Sequence, residues 1–173
     1  TLRKLTEQQL GDGAWPWFPG GRGNDYITLY ITTGFGRLRH LGVDIDVAPA
    51  IRSLERLDAW MNEQYERIQK WSEPEKYVPS STDALYLYGR SFFLKDLPVA
   101  PDHKKAIEFF LGQSRKFWLK TDCRQTQGHL AIALHRPHHT NTVDCRRRRR
   151  LPRFDSPGRA PAHPHNRRQN SYG

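Results

Sequence analysis

The sequence predicts an all-α body, and three observations predict it. Every apolar periodicity between residues 25 and 136 is close to the helical repeat of about 3.6, no segment alternates convincingly as a strand, and the connections have the length found between antiparallel helices. About six helices and no sheet are expected. With 173 residues, 36% of them hydrophobic and 12% aromatic, the chain has the size of one ordinary domain and enough apolar surface for a core.

The residues ahead of position 8 read as helix. They lead into "QQLGDGAWPWFPGGRGNDYIT" (8–28), which crowds two tryptophans, a phenylalanine, two prolines and five glycines into one loop. Residues 25–42 place Tyr26, Leu29, Tyr30, Thr33, Leu38 and Leu41 on one helical face and Ile27, Ile31 and Phe35 on a second. Gly42 stands where a left-handed glycine ends a helix, and Gly34 and Gly36 suggest close helix contact. Residues 47–71 carry Val47, Ile51, Leu54, Met61, Tyr65 and Ile68 at helical spacing, with charged residues between them. Ser80, three residues before Asp83, predicts a cap for a short helix with Leu85, Tyr88 and Phe92 on its stripe, ending near Leu94. Residues 103–120 line up Ile107, Phe110, Leu111, Ser114, Phe117 and Trp118, and a last helix over roughly 122–136 turns Leu130, Ala131 and Leu134 inward.

Beyond Arg136 the periodicity stops. Residues 137–173 hold nine Arg and five Pro against Asp144 and Asp155, so they carry +7 of the net charge of +10 and leave only +3 to residues 1–136. Such a composition predicts a disordered Arg/Pro/His-rich tail, because it buries too little apolar area to offset its ordering entropy. The run Arg146–Arg150 reads either as a patch for non-specific nucleic-acid binding or nuclear targeting, or as an out-of-frame translation. In a GC-rich gene a slip converts GCG alanine codons into CGG arginine codons. Cys123 and Cys145 lie on either side of this break and define no disulfide framework. No run of about 18 apolar residues predicts a membrane span, and the N-terminus lacks the layout of a signal peptide.

Gln9, Gly13 and Trp15 match the spacing Gln-x-x-x-Gly-x-Trp, the QW motif of terpene cyclases and related α/α toroids. Its physics is structural. The glutamine bonds backbone of the following turn, Asp12 completes that turn, the glycine supplies the bend, and the tryptophan covers a helix end with its indole N–H on an acceptor. Gln9, Gly13, Trp15 and Trp17 are therefore expected to lock helices together, in preference to Trp15 and Trp17 forming a sugar-stacking platform.

The stretches "DGAWPWFPGGRGNDYITLYITTGFGRLRHLGVDI" (12–45), "YLYGRSFFLKDLPV" (86–99) and "GHLAIALHR" (128–136) resemble the bacterial α2-macroglobulin family, in its thioester-type α/α-toroid domain. The resemblance covers residues 1–136 and implies a partial toroid of antiparallel helical hairpins, incomplete at both ends. It further implies a fragment of a non-enzymatic, protease-trapping protein of the cell envelope or periplasm, with no cofactor. Its partners would be proteases and the other domains of the parent chain. The family continues into further toroid helices, so the break at Pro137 favours the frame slip.

The chemistry that rival readings need is missing. The family's thioester takes Cys-x-x-Gln, whereas "CRQTQ" (123–127) puts Gln125 and Gln127 two and four residues after Cys123 and Thr126 at the third. A toroid enzyme such as a terpene cyclase or a polysaccharide-acting enzyme is the alternative. The cyclase acid motif Asp-x-Asp-Asp is broken at Val47 after Asp44-Ile45-Asp46, and these aspartates read as a cap on the next helix. His135, His138, His139 and Cys145 match no metal-ligand spacing. "GGRGND" (20–25) lacks a preceding strand and the Lys-Ser/Thr of a phosphate loop, and reads as a flexible turn. "SRKFWLK" (114–120) interleaves bases and aromatics, but Phe117 and Trp118 are assigned to the apolar stripe, leaving a solvated basic edge. No catalytic, cofactor or metal residue is expected.

Overall fold

The computed structural model describes residues 2–121 and 123–136. The expectations for residues 137–173, disorder, frame slip and nucleic-acid patch alike, lie outside the described residues, as do His138, His139 and Cys145. The body is all-α, with six helices: α1 (Leu2–Glu7), α2 (Asp25–His40), α3 (Ala48–Gln69), α4 (Ser81–Arg90), α5 (Pro101–Phe117) and α6 (Arg124–His135). Single 3-10 turns follow α3 (Pro74–Lys76) and α5 (Trp118–Lys120).

The expectation of no sheet needs a small correction. Trp15–Pro16 (β1) and Gly23–Asn24 (β2) pair antiparallel, Trp15 opposite Asn24 and Pro16 opposite Gly23. Two residues per strand are too few to show alternation, so pattern reading does not see them. Gly23 is required here, since a Cβ on it would sit 2.5 Å from the Ala14 Cβ.

Helix ends follow their local chemistry. Asn24 caps α2 by accepting from the Ile27 N–H, and Gly42 at φ 81° lies just past its end. Ser80 and Asp83 form a reciprocal capping box on α4, each side chain bonded to the other's backbone N–H. That helix stops at Arg90 and not near Leu94; a run of turns carries the chain on through Phe93.

α4 is the central element. It packs against α2, α3, α5 and α6, and every residue from Asp83 to Arg90 is buried. Around it gather Leu29, Leu57, Met61, Tyr86, Leu87, Phe110, Leu111, Leu130 and Ala133. A second cluster, Trp15, Phe35, Ala50, Leu54 and Phe93, joins the N-terminal loop to α2 and α3.

The predicted faces hold on α3, where Leu54, Met61 and Ile68 are buried, and on α5 as far as Ser114. They shift on α2. Tyr26, Tyr30 and Leu41 are exposed, and the buried side is Thr28, Leu29, Thr32, Thr33, Phe35 and Gly36. Thr28 and Thr32 go inside because their hydroxyls find partners: Thr28 donates to the Asn24 carbonyl at 2.7 Å and Thr32 bonds Ser53 at 2.7 Å, whereas Thr33 is packed against Gly89 with its hydroxyl unpartnered among the described residues. Gly36 lies against the Phe92 ring, whereas Gly34 faces open space. Trp118 is exposed instead of lying on the α5 stripe, because the chain tightens into a 3-10 turn there and leaves the α-helical register. On α6, Ala131 faces out and Ala133 takes the inward position.

Candidate functional site

The aromatic loop begins where α1 ends. The Gln9 amide donates to the Gly13 carbonyl at 2.9 Å and to the Pro49 carbonyl, in the first turn of α3, at 2.8 Å. Gly13 is left-handed at φ 81° and lies on the α3 backbone. A Cβ at this position would sit 2.5 Å from the Arg52 carbonyl oxygen, so both conformation and space demand glycine. Asp12 accepts from the Ala14 N–H at 3.1 Å with one oxygen and pairs with Arg56 at 2.7 Å with the other, while Arg56 also reaches Asp25 at 2.7 Å.

Trp15 is 1% exposed. Its indole N–H donates to the Leu5 carbonyl at 2.8 Å, its backbone N–H donates to the Thr28 hydroxyl at 2.8 Å, and its ring stacks on Phe35 with centroids 6.2 Å apart. Gln9, Gly13 and Trp15 are thus brought together, tying the end of α1 to α2 and α3. Trp17 is not among them. At 68% exposed, beside Phe18 at 64%, it lies past the end of β1 at Pro16, in the turn that joins β1 to β2, where nothing among the described residues packs over it.

The other candidates are local. Asp46 accepts from the Ala48 N–H at 2.9 Å at the start of α3, and Asp44 is exposed, so the two do not converge on a reacting centre. Gly23 and Asn24 of "GGRGND" are ordered by β1 and by the α2 cap, in place of a flexible turn, and the Ile27 N–H is taken by Asn24. The Cys123 sulfur caps α6 and lies 3.1 Å from the Thr126 hydroxyl, the residue standing where a thioester needs glutamine. No cluster of three His, Cys, Asp or Glu able to hold a metal occurs among the described residues. An open groove of about 620 Å³ beside Trp71 and Tyr77 contains one acid and one base, Glu73 and Lys76, and these pair with each other.

Two polar centres escaped the sequence reading. Asp58 on α3 holds Arg90 in a buried ion pair at 2.9 Å and accepts from the Tyr86 hydroxyl at 2.7 Å, while Arg90 also donates to the Leu97 carbonyl at 2.8 Å. Burial, and then the Asp58 charge, push the Tyr86 phenol well above its ordinary pKa. Tyr77 behaves alike: burial first, then Asp83, raises it, and its hydroxyl donates to the Asp83 carboxylate at 2.5 Å. The available signal for the first was an aspartate lying in the apolar stripe between Leu54 and Met61.

No protein-family model, curated protein or solved structure matches this chain.

Proposed function

We propose that residues 1–136 are a structural section of a larger α2-macroglobulin-like protein of the cell envelope, a partial α/α toroid that helps to trap proteases and carries out no chemistry of its own. One observation carries this reading. The Gln9 amide NH2, the Trp15 indole and both Asp12 oxygens, in the most distinctive stretch, are engaged within the protein, and the Gln9 side-chain carbonyl oxygen is buried, leaving a joint between helices and no constellation aimed at a substrate. The sequence resemblance supplies the family. Of the two carboxylates buried among the described residues, Asp58 is paired with Arg90 and hydrogen-bonded by Tyr86, and Asp83 is taken up by the α4 capping box and Tyr77, so neither is left free as the poised acid that a cyclase needs.

The locus and the protein it encodes test this proposal. Its coding DNA should run on from the codons near His135–Pro137, in one frame or the other, into further helices of toroid periodicity. The full product, mixed with an endopeptidase, should suppress cleavage of protein substrates while sparing short peptides, since a caged protease still admits small molecules. A complete gene bounded by its own start and by an in-frame stop after Gly173 would sink the proposal.

A further inference from the structure

The geometry points to an oxyanion site, specific for a phosphate-type dianion, between Arg37 of α2 and Arg136 at the end of α6. Both guanidinium groups gather at one ring: Arg37 lies 5.1 Å and Arg136 5.8 Å from the Tyr88 centroid, and Arg136 lies 4.1 Å from that of Phe92. Neither has a carboxylate partner among the described residues. Arg37 bonds His129 at 3.0 Å and Arg136 donates to the Ser91 hydroxyl at 3.0 Å. Arginine has no acceptor, so His129 Nε2 accepts from Arg37 and its ring is the neutral form, proton on Nδ1, stacked on Tyr88 with centroids 4.7 Å apart.

The charge around this cluster is unbalanced. Arg39 packs beside it and is paired with Asp96 at 3.0 and 2.9 Å, so among the described residues Arg37 and Arg136 are left with an unpaired charge of +2. The Arg37 Nε–H is buried with no acceptor, and both arginines keep part of their surface in solvent. Two planar forks with donors to spare and no paired acid match the multiple acceptors and double charge of a phosphate group, while the Ser91 hydroxyl, which donates to the Tyr88 carbonyl at 2.6 Å, holds Arg136 in place. Burial and the Arg37 charge hold the His129 pKa below its ordinary value, so a bound anion that offsets Arg37 should raise it.

The test is a titration of the full chain with inorganic phosphate, chloride holding the ionic strength constant, followed through the His129 imidazole resonances. A saturable shift is expected, together with a rise in the His129 pKa. Arg136→Gln, at a partly exposed helix end where the fold should survive, and Arg37→Gln should each weaken binding at least tenfold, and Arg37→Lys should restore only part of it. The Arg-rich residues 146–150 are the same in every variant, so phosphate held by them would not follow this pattern. A non-saturating shift, equal affinity in Arg136→Gln, or acetate binding as tightly as phosphate would overturn the proposal.

Discussion

Trp15 and Trp17 are two residues apart and should behave as opposites. Trp15 fills a cluster and satisfies its own indole N–H, so Trp15→Ala is expected to cost about 3–5 kcal/mol in a denaturant titration, the range for truncating a buried aromatic. Trp17→Ala, at a solvated tip, should stay within about 0.5 kcal/mol of wild type. Asp58→Ala should match the larger loss, at about 3–5 kcal/mol, because it leaves the Arg90 charge buried and unpaired. The two buried-side phenols predict an alkaline limit. Their folded pKa values lie above the unfolded value of about 10, so the folded state holds these protons more tightly, and the stability this confers is complete below about pH 10 and lost as pH rises further. Among the seven tyrosines, Tyr77 and Tyr86 should therefore give a late step in tyrosinate absorbance that coincides with the loss of helical signal. If all seven titrate near pH 10 with the helices intact, the burial argument fails. Gln9, Gly13 and Trp15 could be placed by spacing because each has one dominant local role. Asp58 could not, since its partner is 32 positions away and nothing local announces an ion pair across two helices.

Between elements, the tightest approach is α2 on α4. Gly89 of α4 faces Thr33 of α2, and an added Cβ would collide with the threonine hydroxyl and approach its Cβ to 3.3 Å. Gly89→Ala should therefore destabilise by about 1–3 kcal/mol despite its better helix propensity, the cost of overpacking outweighing a gain of about 1 kcal/mol. Thr33→Ala removes the colliding atom and, since that hydroxyl has no partner, should recover most of the loss in the double variant. Additive losses in the cycle would show that the two residues do not meet. Helix existence and most ends were readable, because caps such as Ser80 with Asp83 and the stop at Gly42 act within one turn of chain. The α2 face was not. Its buried threonines look polar to a hydropathy pattern, and what makes Thr32 and Thr28 inward residues is Ser53 on another helix and a carbonyl one turn back. Tyr30, apolar by the same pattern, stays outside because α3 and α4 already cover the opposite side.

Over the whole molecule, charge and core are separated along the chain. Residues 2–136 supply the packed clusters on a body whose residues carry about +3, while residues 137–173 bring +7 with Val143, Leu151, Phe154 and Tyr172 scattered among nine Arg and five Pro. A segment of that composition adds little packed apolar area, so removing residues 137–173 should leave the helical circular dichroism per chain almost unchanged and the unfolding midpoint within a few degrees. Arg136 must be kept, since it bonds Ser91 and lies over the Phe92 ring. Affinity for a non-specific duplex should change far more. Contacts between arginine and phosphate release counterions, so the full chain should bind weakly with a steep salt dependence, and the truncated chain should lose both the binding and the slope. Should the truncated chain keep the affinity and salt slope of the full chain, the binding surface would lie on the body. The exposed basic residues Arg115, Lys116 and Lys120 around Trp118 would then be the place to mutate next.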